Sequence, residues 1–151
     1  MADEDFYEAA VRHWIDGAIL EEQEEYDNAV CMQGFAAECA LKKIMEKVRS
    51  VKMSGSGEIE KYKKEYSHWG EAIMRDIQML LLADMELLTI LEPSCALRLS
   101  KMELPPILFQ NHPERRYFKD STYTKADAGS CRNAAGSLIK EMLYMRVDGY
   151  L

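Results

Sequence analysis

The sequence predicts an all-α protein: an up-and-down bundle of four long helices with a minor fifth, in one domain over residues 1–151. Three observations carry this. Apolar residues recur every three or four positions through long segments. Leu, Ala, Glu, Lys and Met are abundant, whereas glycine and proline number 8 and 4. No segment alternates as a strand would, and there is no internal repeat. Hydrophobic residues make up 48% of a chain of ordinary domain length, enough to build a packed core.

The first helix is expected from about Asp3 to Glu24. Asp3 would cap it, Asp5 and Glu8 suit its early turns, and Tyr7, Val11, Trp14 and Ala18 form one stripe. EEQEEYD breaks the pattern. Asp27 can then cap a second helix from Asn28 to about Arg49, with Ala29, Met32, Ala36 and Ala40 on one face and Cys39 beside it. SVKMSGSGEIEKYKKEY reads as a flexible turn with a short exposed helix. Ser67 resembles an N-cap that opens the third helix at His68. That helix is expected to run to about Leu91, short of Pro93, with Asp84 interrupting its apolar surface.

A short helix is expected over Cys95 to Met102. ELPPILFQNHPERRYFKDSTY is the one long irregular stretch, because Pro105, Pro106 and Pro113 forbid a continuous helix. Such stretches in compact domains often carry function. The last helix should span roughly Thr124 to Arg146. Thr124, Ala128, Cys131, Ala135, Leu138, Met142 and Met145 follow a 4-3 spacing that marks a helix–helix seam. Gly129 and Gly136, one heptad apart near that seam, would admit a neighbouring backbone.

The net charge of −7 argues against a broad nucleic-acid binder, which needs an extended basic surface, while leaving room for a local basic patch. The cysteines at 31, 39, 95 and 131 form no C-x-x-C pair, and no His lies at ligand spacing from them. They read as buried thiols of a cytoplasmic protein, with no metal and no cofactor expected. The acidic opening MADEDFYEAA has neither the basic nor the apolar region of a signal peptide. The most apolar run, Ile77 to Leu91, is too short for a bilayer and contains Asp84 and Glu86, so no membrane partner is expected. No phosphate-cradling glycine loop and no Ser-His-Asp order occurs.

RHWIDGAILEEQEEYDNAVCMQGFAAECALKKIM, from Arg12 to Met45, resembles the opening helical hairpin of the HEPN family, a group of helical nucleotide-binding domains. The likeness lies in an aromatic and small residues in helix one, a short acidic turn, and the segment GFAAECALKK, Gly34 to Lys43, which is its most specific part. A His opening the next helix, in SHWGEAI, and the Arg116-Tyr117 pair before the last helix extend it over nearly the whole chain. The resemblance implies an up-and-down bundle that dimerises or joins a protein complex, with a nucleotidyltransferase-type protein as one partner. It also implies a place in bacterial antiphage defence or toxin–antitoxin systems, as either a ribonuclease or a non-catalytic binding module. The family's catalytic pattern is an Arg, four to six residues, then a His. No arginine here satisfies it: Arg115 leads to Asp120, Ser121 and Thr122, and Arg116 to Ser121, Thr122 and Tyr123.

The favoured expectation is therefore a non-catalytic HEPN-like binding or assembly module. Two alternatives stand beside it. One is a divergent, metal-independent ribonuclease with a composite site at a dimer interface, built from Arg115, Arg116, His112 or His68, and Tyr123. The other is a nucleotide sensor. Arg115, Arg116 and Tyr117 form the one compact basic–aromatic group in an irregular segment, suited to phosphate and to base stacking, with His68 as a further nucleotide- or RNA-binding candidate. The plainer reading of these arginines is loop anchoring by a carboxylate. His112, between Asn111 and Pro113, reads as an exposed turn residue, and His13 as a packing residue beside Trp14.

Glu38 sits among small residues in AAECA. Spacing alone offers an exposed i,i+4 pair with Lys42. The resemblance points instead to a buried structural anchor paired with Arg116, Arg115 or His68, since a buried carboxylate needs a partner or a proton.

Overall fold

A computed structural model describes residues 5–49, 66–83 and 91–150. The described residues form five α-helices and no strand. The helices are α1 (Phe6–Glu22), α2 (Tyr26–Val48), α3 (Gly70–Ala83), α4 (Pro93–Lys101) and α5 (Lys125–Val147), and two 3-10 turns, Pro106–Leu108 and Glu114–Tyr117, lie before α5. The expected loop around SGSG and the position of Asp84 lie outside the described residues. No helix among those described is long and apolar enough to cross a membrane.

Helix α2 is the axis of the bundle. It packs against α1, α3 and α5, and most of its residues are buried. Its small residues explain this placement: Ala29, Ala36, Ala37 and Ala40 are all buried and let neighbouring helices come close. Helix α1 lies on one flank. Gln33 of α2 donates to the Trp14 carbonyl at 3.1 Å, and Trp14 Nε1 donates to the Arg132 carbonyl of α5 at 3.2 Å. The expected α1 stripe is half-buried at Tyr7, Val11 and Trp14, whereas Ala10 and Gly17 make its innermost contacts. The α5 seam is buried from Ala128 through Met145 as its spacing predicts. At Gly136 the close approach is made by the Trp14 indole and not by backbone, and Gly129 meets nothing.

The helix ends differ from expectation in ways that local chemistry explains. Asp5, not Asp3, caps α1, accepting from the Glu8 amide at 3.0 Å. Helix α2 begins at Tyr26, so Asp27 lies inside its first turn instead of capping it. Its carboxylate turns outward and accepts the amides of Tyr123 at 2.7 Å and Thr122 at 3.3 Å, holding the far end of the irregular segment. Ser67 takes a left-handed φ of 46°, so the chain turns over 66–68 and α3 starts at Gly70. Helix α4 starts at Pro93, with Glu92 as its cap and proline in the first turn, where its missing N–H costs nothing. Thr124 and Asp127 form a reciprocal capping box for α5.

Candidate functional site

Val30, Gly34, Glu38 and Lys42 recur every four residues and so line one face of α2. The irregular segment lies along this rail. Its main fastener is Arg115, only 2% exposed. Nη1 donates to the carbonyls of Ile107 at 2.6 Å and Gln110 at 3.1 Å. Nη2 donates to those of Leu108 at 2.6 Å and Val30 at 3.1 Å. The planar fork of a guanidinium reaches four acceptors at once, which a lysine ammonium cannot do in this geometry. The guanidinium also lies 5.8 Å from the Tyr123 ring centroid.

About two turns further along the rail is Glu38, 4% exposed. Its Oε1 accepts from His68 Nδ1 at 2.8 Å and from His112 Nε2 at 2.9 Å. Its Oε2 accepts from Lys42 Nζ at 3.0 Å. The Glu38–Lys42 pair suggested by spacing is thus present, but it is one arm of a larger cluster. Burial, the largest single influence, pushes the Glu38 carboxyl up. The His112 hydrogen bond, the Lys42 charge and the His68 hydrogen bond together outweigh it, and the pKa falls from 4.5 to about 2.

A depressed carboxylate pKa contributes stability that is complete above the unfolded value and is lost as protons return. The drop corresponds to about 3 kcal/mol. Urea unfolding of metal-free protein should therefore show stability falling by roughly that amount between about pH 5 and pH 2. Glu38→Gln should flatten this segment of the curve. An equally steep curve in that variant would remove Glu38 as its source.

Phe35, on the same face of α2, is ringed by all three histidines. Its ring centroid lies 4.6 Å from His112, 5.9 Å from His68 and 6.2 Å from His13. Burial, then the Arg12 charge, lowers the pKa of His13. Gly34 separates the two fasteners. A Cβ there would lie 2.5 Å from Arg115 Nη2 and 2.8 Å from His112 Nδ1. Gly34→Ala should accordingly lower stability by about 2–3 kcal/mol by overpacking. Thermal unfolding checks this, and a loss under about half a kcal/mol would mean that the loop shifts freely.

The structure separates the residues that the sequence grouped. His112 is a buried partner of Glu38, not an exposed turn residue, because Asn111, at a left-handed φ of 56°, reverses the chain and turns the ring inward. Arg115 pairs with carbonyls and not with a carboxylate. Arg116 is exposed, far from Glu38 in its bonding, and stacks on Tyr117 at 4.9 Å, itself 77% exposed. Tyr123 is half-buried, and burial pushes its hydroxyl pKa up. Residues of the proposed composite nuclease site therefore divide between interior and solvent. His68 is the one member of the Glu38 cluster with substantial exposure, at 42% of its side chain.

His68 also borders a groove of about 340 Å³ with Trp69, Gly70, Glu71, Phe109, Gln110, Asn111 and His112. Sequence reasoning missed this groove and the roles of Gly34 and Asp27. The four-residue recurrence 30, 34, 38, 42 was the available signal for Gly34.

All four cysteines are buried thiols. Burial raises the pKa of Cys31, takes Cys131 to about 11 and, together with Glu141, takes Cys95 to about 12. These three are not poised as nucleophiles. No family model, no curated protein and no solved structure matches the chain.

Proposed function

We propose that the chain is a non-catalytic, HEPN-like binding or assembly module that works as a homodimer or within a protein complex of a bacterial defence or toxin–antitoxin-type system. The observation that supports this most is the closure of Arg115 and His112. A composite ribonuclease site would draw on Arg115 and on His112 or His68, yet Arg115 is consumed by four backbone carbonyls and His112 by Glu38. Within the irregular segment, Arg116, Tyr117 and Phe118 remain outward as an exposed basic–aromatic edge suited to contact.

The test is an RNA-cleavage assay on the purified chain, with light scattering on the same sample. The expected result is no cleavage over a broad panel of RNAs and a mass above that of one chain. The controls are Arg116→Ala, which is clear of the buried fasteners, and His68→Ala, which removes the most exposed partner of Glu38. Cleavage lost in either variant would replace this reading with a divergent ribonuclease.

A nucleotide-sensing role is the second reading, favoured by the groove beside the exposed Trp69. It predicts a nucleotide-dependent rise in melting temperature by mass action, which Trp69→Ala removes.

A further inference from the structure

We propose that Glu38, His68 and His112 form a site for one divalent transition-metal ion of the zinc type. The three residues come from separate segments, 30 and 74 positions from Glu38, so no ligand spacing in the sequence announces them. Each offers one donor atom, and the three donors lie within 4.8 Å of one another. Two imidazoles and one carboxylate are a donor set that Zn²⁺ and Co²⁺ accept, with the fourth position open to water. The site has an approach from solvent, since His68 and His112 both line the groove beside Trp69. Lys42 occupies Glu38 Oε2, which leaves Oε1, the oxygen that already faces both rings, for the ion.

The geometry also sets the expected strength. Glu38 Oε1 stands 2.8 and 2.9 Å from the two ring nitrogens. Two donors about 2.1 Å from one tetrahedral ion are roughly 3.4 Å apart. Entry therefore widens each contact by about half an ångström, replacing two hydrogen bonds. His68 lies in the turn before α3 and is partly exposed, so it is the ligand free to make that movement.

A neutral ring that gives one nitrogen to the ion carries its proton on the other. For His68 that is Nε2. For His112 it is Nδ1, which is buried without a hydrogen-bond partner. Metal-bound histidines normally donate this second proton to an acceptor. Its lack here, with the Lys42 ammonium close by, points to micromolar and not nanomolar affinity.

The test uses the full chain freed of metal by chelator. It is titrated with Zn²⁺ by calorimetry and with Co²⁺ by visible absorption. One equivalent should bind with micromolar affinity, Co²⁺ should show bands of a nitrogen–oxygen site, and Zn²⁺ should raise the melting temperature. His68→Ala should weaken binding by more than about tenfold while keeping the native circular dichroism. Glu38→Gln, which preserves side-chain shape, gives an independent second variant.

No binding up to millimolar ion would overturn the proposal. So would unchanged affinity in His68→Ala, or the intense charge-transfer absorption of a cysteine thiolate site. The outcome is independent of the cleavage and mass measurements that test the binding-module reading.

Discussion

Arg115→Ala is expected to lower stability by about 3–5 kcal/mol, a large share of what a domain of this size possesses. The side chain is buried, and its guanidinium donates to four carbonyls, three of them in the 107–110 turn and one in α2. Hydrogen bonds to a charged group are worth about 1.5–3 kcal/mol each before losses are shared, and each buried carbonyl left alone costs about 1–3 kcal/mol. Water or local rearrangement will recover some of this, so the sum is not additive. Arg115→Lys tests the shape of the interaction. It keeps the positive charge but offers one ammonium to acceptors spread around a planar fork, and it should recover less than half of the loss. Urea unfolding followed by circular dichroism measures both variants. A cost under about 1 kcal/mol for Arg115→Ala would show that the segment is held without its guanidinium.

Glu38→Ala should cost on the order of 3 kcal/mol, because it strands three donors at once: His68, His112 and Lys42. In a domain of this length that corresponds to a fall of roughly 6–12 °C in melting temperature. Glu38→Gln should cost less, since its amide oxygen can still accept from the rings, while the attraction to Lys42 is gone. A double-mutant cycle with His112→Ala then separates the pair from the rest of the cluster. A coupling near zero would remove His112 from the energetics of the cluster and leave Glu38 to Lys42 and His68. A loss near 3 kcal/mol with strong coupling would make the carboxylate the joint between α2, the α3 turn and the irregular segment.

These two fasteners act on the same length of chain. Arg115 holds the 107–110 turn against the start of the rail, and Glu38 holds His112 about two turns further on. Asp27 holds Thr122 and Tyr123 at the end. A proline-containing segment with no regular ladder of hydrogen bonds is thereby ordered through side chains of one helix. Because Arg115 and His112 serve this purpose, their identity is explained by the fold before any chemistry on a substrate is invoked.

The sequence by itself determined the all-α class, the order of the helices and much of the core. Those features rest on local quantities: the 3.6-residue recurrence of apolar side chains and the prolines at 105, 106 and 113. It also marked Glu38 as a carboxylate in a place where small residues bring helices together. It did not identify the partners. Arg116 carries the same charge as Arg115 one residue away, and only the turn at Glu114–Tyr117 decides which of them enters the core and which faces water.

His112 likewise reads as a surface turn residue until the backbone at Asn111 directs it inward, 74 positions from the carboxylate that receives it. The start of α2 moved for a related reason: Asp27 does not cap it but accepts the amides of Thr122 and Tyr123 across the chain. Periodicity is encoded in neighbours along the chain. The pairing of buried charge is a long-range choice, set by which groups the packed helices bring within hydrogen-bond distance.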